Sequence, residues 1–269
     1  LRRGGTGNQV RHGPHAVGIN FGSGLGLDSS GYAMEEALHR ALSHGPKFSP
    51  LTIDGVAKVL VAGAVGGFPG LNPKTDYANV EMLIYVGTNP MVSHAHNTGM
   101  FNPAVWIKAA ARRGEVWTID PLFTETAKLS TRHIAAYPGK DYAILAWLVR
   151  EIIDGGPLEA QQPVHGLDEL RAVLQGLDRA TAAEIAGVPE QDLEDQLAAI
   201  RRKGKVVVET GTGITMSAGA NLTQWFAWLL MILTGAMNRT GGAWFHPGFL
   251  TPCENIELPL MDPWTPGSK

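Results

Sequence analysis

The sequence predicts an α/β fold: a doubly wound, mostly parallel sheet flanked by helices. Three observations carry that prediction. Strand-length apolar runs, MLIYV (Met82–Val86), VWTID (Val116–Asp120) and KVVVE (Lys205–Glu209), alternate with stretches of helical period. Two of them bracket NPAVWIKAAARRG (Asn102–Gly114), read as a helix closed by glycine; such a strand–helix–strand unit needs a right-handed crossover and parallel strands. Each run also gives way to a small polar or glycine-bearing loop, and strand ends of that kind are where open α/β sheets hold ligands.

The other elements follow in order. AVGIN (Ala16–Asn20) reads as a short strand, and YAMEEALHRALS (Tyr32–Ser43) has helical spacing that ends before the Gly45-Pro46 break. Glycine is dense from Gly63 to Gly70, where sharp turns or close backbone approach are expected. HIAAY (His133–Tyr137) reads as a strand leading through Pro138-Gly139 into the helix DYAILAWLVREIIDG, with Asp141 at the N-cap position. Small amphipathic helices are expected from Leu158 to Arg202. Thr181 and Glu184 have capping-box spacing, Pro189 suits a first helical turn and Gly204 a helix end. An apolar helix is expected over Leu222–Met237. The reading divides the chain into a partial lobe over 1–48, an α/β cofactor domain over 49–247, and the start of a further segment over 248–269.

Composition narrows the function. At 269 residues, 44% hydrophobic and 17% charged, the chain is globular rather than disordered. A net charge of −3 supplies no basic field for nucleic acid or an anionic membrane. The single cysteine, Cys253, excludes a disulfide framework within this chain, and equally a cysteine-ligated iron–sulfur cluster or structural zinc. Arg2-Arg3 is followed by Gly-Gly-Thr-Gly-Asn-Gln rather than the apolar stretch of a twin-arginine signal. WFAWLLMILTGAM (Trp225–Met237) is too short for a bilayer and reads as buried helix, so no transmembrane segment is expected. The chain opens on Leu1 and reads as a soluble piece of a longer protein.

Four strand ends share one chemical type: Gly87-Thr88-Asn89-Pro90, Asp120-Pro121 followed by Thr124-Glu125-Thr126, Pro138-Gly139-Lys140-Asp141, and Gly211-Thr212-Gly213. Glycine admits a pyrophosphate close to the backbone, and Thr and Asn donate hydrogen bonds. One strand-end aspartate can accept from ribose hydroxyls, and a second can pair with N1 and the exocyclic amine of guanine. Each loop also has an ordinary reading: Gly-x-Asn-Pro as a turn, Pro-Gly as punctuation, Asp141 as a cap.

The order of these loops resembles the molybdopterin oxidoreductase family, the group related to dimethyl sulfoxide reductase, formate dehydrogenase and periplasmic nitrate reductase. The resemblance rests on GTNPMVSH (Gly87–His94), IDPLFTETA (Ile119–Ala127) and PGKD (Pro138–Asp141), with a later block from Glu209 to Phe245 that includes Asn238 and Gly241-Gly242. That family holds two molybdopterin guanine dinucleotides around one molybdenum or tungsten. The resemblance therefore implies that Gly87, Thr88, Asn89, Ser93, His94, Asp120, Thr124, Thr126, Gly139, Asp141, Gly211, Thr212 and Gly213 line a dinucleotide site. Two departures stand out. Leu122 replaces the family's arginine and Lys140 its threonine, although Lys140 can still meet a phosphate as a point charge.

In the family one protein side chain often binds the metal, a few dozen residues before the Gly-x-Asn-Pro loop. That offset falls on Asp54, whose hard carboxylate suits an oxidised, oxo-bearing metal; the alternative is a turn residue ahead of Gly55. Ser49 and Thr52 are weaker candidates, and Gly55 stands where formate dehydrogenases have histidine. His12 lies too far upstream to be that histidine, and His39 and His44 read as ordinary side chains. The resemblance implies catalysis by oxygen-atom or hydride-equivalent transfer on a small-molecule substrate, and an electron-transfer partner subunit or domain. A four-iron cluster is expected in a module outside this chain, and the segment alone should be inactive. A competing reading is a metal-free relative, such as the large electron-transfer subunit of respiratory complex I. A nicotinamide dehydrogenase lacks support, since no Gly-x-Gly-x-x-Gly opens a helix after a first strand.

Overall fold

The run Met82–Val86 forms a strand in which all five side chains are buried, because helices cover both faces of the sheet that contains it. Removing each large apolar side chain from water contributes roughly 1.5–3 kcal/mol, so this strand anchors its sheet. The computed structural model describes residues 2–22, 24–25, 28–42, 45–69, 71–95, 100–155, 159–160 and 163–245, and divides into two compact units, Leu1–Val56 and Ala57–Lys269.

The first unit holds α1 (Arg2–His12), β1 (Ile19–Asn20), α2 (Ser29–Ala41), β2 (Lys47–Phe48) and α3 (Leu51–Asp54). The strands β1 and β2 pair in parallel, and the Asp28 carboxylate caps α2 by accepting from the Ser30 and Gly31 amides. The expected strand at AVGIN is shorter than its apolar run. A 3-10 turn takes up Pro14–Ala16, leaving only Ile19 and Asn20 to pair.

The second unit is entered through α4 (Val56–Gly66), which begins at the boundary. It continues with β3 (Lys74–Thr75), β4 (Met82–Val86), α5 (Pro90–Ser93), α6 (Pro103–Arg113), β5 (Glu115–Ile119), β6 (Arg132–Ile134) and α7 (Asp141–Asp154). Then come α8 (Leu167–Leu174), α9 (Arg179–Ala186), α10 (Glu190–Lys203), β7 (Val207–Thr210), α11 (Thr212–Thr215), α12 (Ala220–Leu233) and β8 (Ala243–Trp244). Four strands make an all-parallel sheet in the order β6-β5-β4-β7, with Val86 opposite both Ile119 and Thr210. The chain steps outward from β4 through β5 to β6, then returns to place β7 on the other side of β4. Right-handed crossovers therefore put α6 on one face and the α7–α10 layer on the other. The helix α12 packs against α7 and β7, and its Phe226, Trp228, Leu230 and Leu233 side chains are buried.

Three local expectations are corrected. The cap of α9 is Asp178, whose carboxylate accepts from the Thr181 amide at 2.8 Å, so Thr181 lies inside the helix instead of opening it. Asp141 is the first helical residue of α7, with Lys140 at the cap position. The apolar helix α12 stops at Leu233, because Gly235 takes a left-handed φ of 68° and turns the chain. No described helix is long and apolar enough to cross a membrane. The segment 248–269, with His44 and Gly70, lies outside the described residues.

Candidate cofactor-binding site

The chain reverses its direction of travel at β4, between β5 and β7. Connections leaving the carboxyl ends of two such neighbours diverge and open a crevice. The four predicted loops all sit at this edge, because all four strands are parallel and end on the same side.

Hydrogen bonds tie the loops into a rim. The Asn89 side-chain oxygen accepts from the Thr126 hydroxyl at 2.7 Å and the Thr126 amide at 3.3 Å, and its amide nitrogen donates to Glu125 at 2.9 Å. Thr126 is fully buried, and its hydroxyl also accepts from the Met91 amide. This threonine therefore holds Asn89 in place. Ser93 donates to the Asn89 carbonyl, and the exposed His94, in a left-handed conformation, has Nδ1 3.1 Å from the Met100 carbonyl. The hydroxyl of Thr124 accepts from the Ala127 amide and closes the turn after β5.

Two acids stand at the rim. The Asp120 carboxylate accepts from the Leu122 amide at 2.9 Å, and burial raises its pKa. Asp141 is only 4% exposed; burial, with the Asp120 charge adding to it, pushes its pKa up to about 6. Next to it Gly139 has a φ of 73°, and a side-chain carbon there would lie 3.3 Å from Ser217 in the turn before α12. The β6 and β7 loops are thereby brought side by side.

The glycines of the β4 and β7 loops pack against one another. Gly211 donates to the Val86 carbonyl, Gly213 to the Gly87 carbonyl, and Gly87 to the Ile119 carbonyl. A methyl at Gly211 would lie 2.4 Å from the Thr88 side chain, and one at Gly213 2.8 Å from the Gly87 carbonyl. Glycine is required there so that the two loops can press together, and these three amides are already spent on protein acceptors. Thr212 and Lys140 are both exposed at this edge.

Asp54 ends α3 in the first unit, and His12 is exposed on α1. His39 has Nε2 2.8 Å from the Gly45 carbonyl, which is a local structural role. Among the described residues, no group of three or more His, Cys, Asp or Glu side chains is placed to hold a metal ion.

Fold and rim define an open parallel α/β domain whose four loops gather at the carboxyl ends of its strands. No protein-family model matches the sequence. An assimilatory nitrate reductase of Haloferax mediterranei is 28% identical over 151 residues, 55% of this chain and 20% of that protein. The F420-dependent formate dehydrogenase 2 subunit alpha of Methanococcus maripaludis is 23% identical over 202 residues, 70% of this chain and 28% of that protein. Among solved structures, acetylene hydratase from Pelobacter acetylenicus shares the fold with a TM-score of 0.73 at 16% identity, covering 89% of this chain and 32% of that one. The chain thus spans between 20% and 32% of the length of these three proteins. It is a partial match to the molybdopterin oxidoreductase family.

Proposed function

We propose that the chain is the central cofactor-binding part of a molybdenum or tungsten oxidoreductase carrying bis-molybdopterin guanine dinucleotide. One observation carries the reading: the buried Asp141 carboxyl lies within the field of Asp120 at the edge where four loops meet. A carboxylate kept buried beside a second acid is suited to a ligand that brings its own N–H donors. The donor set fits the guanosine end of the cofactor. Asp141 would accept from guanine N1–H and the 2-amino group and Asp120 from ribose hydroxyls, with Thr212 and Lys140 available to phosphate oxygens.

Asn89 and Thr126 hold the rim in register, while Gly87, Gly211 and Gly213 set its close packing. Asp54 is the proposed metal ligand. When bound, the metal centre supplies oxygen-atom or hydride-equivalent exchange with a small substrate. A four-iron cluster held outside this chain would supply the route for electrons toward a partner subunit or domain, and the segment alone would be inactive.

Metal and nucleotide analysis of the intact longer protein tests this reading. Molybdenum or tungsten with two pterin dinucleotides per protein supports it. A folded protein free of metal and nucleotide refutes it in favour of a metal-free relative; Leu122 in the arginine position is the residue that favours that alternative.

A further inference from the structure

A polar cluster lies against the β7 edge of the sheet, and no part of the reading above uses it. Lys58, on α4, donates from Nζ to the Thr210 carbonyl at 2.7 Å. Thr210 is the last residue of β7, and Gly211 begins the turn that presses on Gly87 and Thr88. One residue earlier, the Glu209 carboxylate accepts from the Thr75 and Tyr77 hydroxyls and stands opposite Tyr85 in the β4 register.

We propose that Lys58 is a positioning residue for the rim. Its hydrogen bond to the Thr210 carbonyl, reinforced by the Glu209 charge, sets the angle at which the chain leaves β7 and so seats the Gly211–Thr215 turn against Gly87 and Thr88. Lys58 acts through this turn; its bearing on cofactor binding rests on the reading given above.

The charge state of Lys58 matters because an ammonium is a stronger donor than an amine. Burial lowers its pKa to about 8, against the attraction of Glu209. The charges that act on Lys58 include Glu209 on β7 and Lys74 on β3, and Glu209 is itself surrounded by Thr75, Tyr77 and Tyr85. Burial holds both tyrosines well above their ordinary pKa, so they stay neutral through this range. Burial also lowers Lys74, which therefore needs its own control.

Hydrogen–deuterium exchange in the intact protein, corrected for the intrinsic pH dependence, reads the turn without any ligand. Protection of a peptide spanning 211–217 should fall as pH rises through about 8, while a peptide from α10 does not change. Lys58→Met should lower protection of the turn about tenfold at every pH, with α10 unaffected. Lys58→Arg, charged at any accessible pH, should keep the protection and remove the inflection, whereas Lys74→Gln should keep both. An inflection that survives in Lys58→Arg, vanishes in Lys74→Gln, or moves the α10 peptide equally would overturn the proposal. If Lys58→Met fails to fold, the arginine variant decides alone. Absence of nucleotide from the intact protein would sink the cofactor reading and leave this exchange result standing.

Discussion

Asp120 and Asp141 face each other electrostatically across the rim: the charge at the end of β5 adds to the burial that raises the carboxyl at the start of α7 to a pKa of about 6. The chain buries one acid and adds the charge of a second to that burial. Such an arrangement costs folding stability and is expected where a ligand later supplies the missing donors.

That cost is measurable. Because the folded pKa of Asp141, about 6, lies above its ordinary 3.8, this residue favours folding most below pH 4. The contribution is lost as pH rises through 6. Asp141→Asn should therefore stabilise the protein at pH 8 by up to about 3 kcal/mol, and the two proteins should converge near pH 4. Denaturant titrations across that range give the comparison; equal stability at both ends would mean that Asp141 is not strained.

Asn89 should behave as a structural clamp. Asn89→Ala leaves the fully buried Thr126 hydroxyl without its acceptor, which costs roughly 1–3 kcal/mol. Thr126→Val and the double variant complete a cycle, and a coupling near zero would show that the pair does not act as a unit.

The β4 and β7 loops should not tolerate a methyl group between them. Gly211→Ala places a carbon 2.4 Å from Thr88 and 2.6 Å from the Gly87 carbonyl. A loss of roughly 2–4 kcal/mol is expected from overpacking against backbone. Gly176→Ala, with nothing within 4 Å, serves as the control and should change stability little.

The metal assignment has a separate test. Asp54→Ala in the intact enzyme should abolish turnover while leaving its content of guanine nucleotide unchanged. Unaltered turnover would remove Asp54 from the site.

Much of this architecture is legible in the sequence, for identifiable reasons. The strand β4 matches its apolar run because burial on both faces leaves an unbroken signal, and β5 lies within one residue of expectation. The order of the four loops is likewise visible, since parallel strands must end together. What the sequence hides is how the loops use their groups. Glycine at 211 looks the same whether it admits a phosphate or a neighbouring loop, and only the distances to Thr88 and Gly87 separate the two. The Thr181–Glu184 spacing imitates a capping box, but Asp178 is placed to bind the Thr181 amide first. Lys58 and Glu209 are far apart in sequence. Their only trace is a lysine inside the apolar run VAKVLVAG and a glutamate closing KVVVE.

The most direct test of the central claim is the GMP released by acid hydrolysis from the intact protein, compared with its Asp141→Asn and Asp168→Asn forms. If the rim holds a guanine dinucleotide through Asp141, GMP per chain should fall in Asp141→Asn and stay unchanged when the exposed Asp168 is altered. Equal GMP in all three proteins, or none in any, would contradict the account.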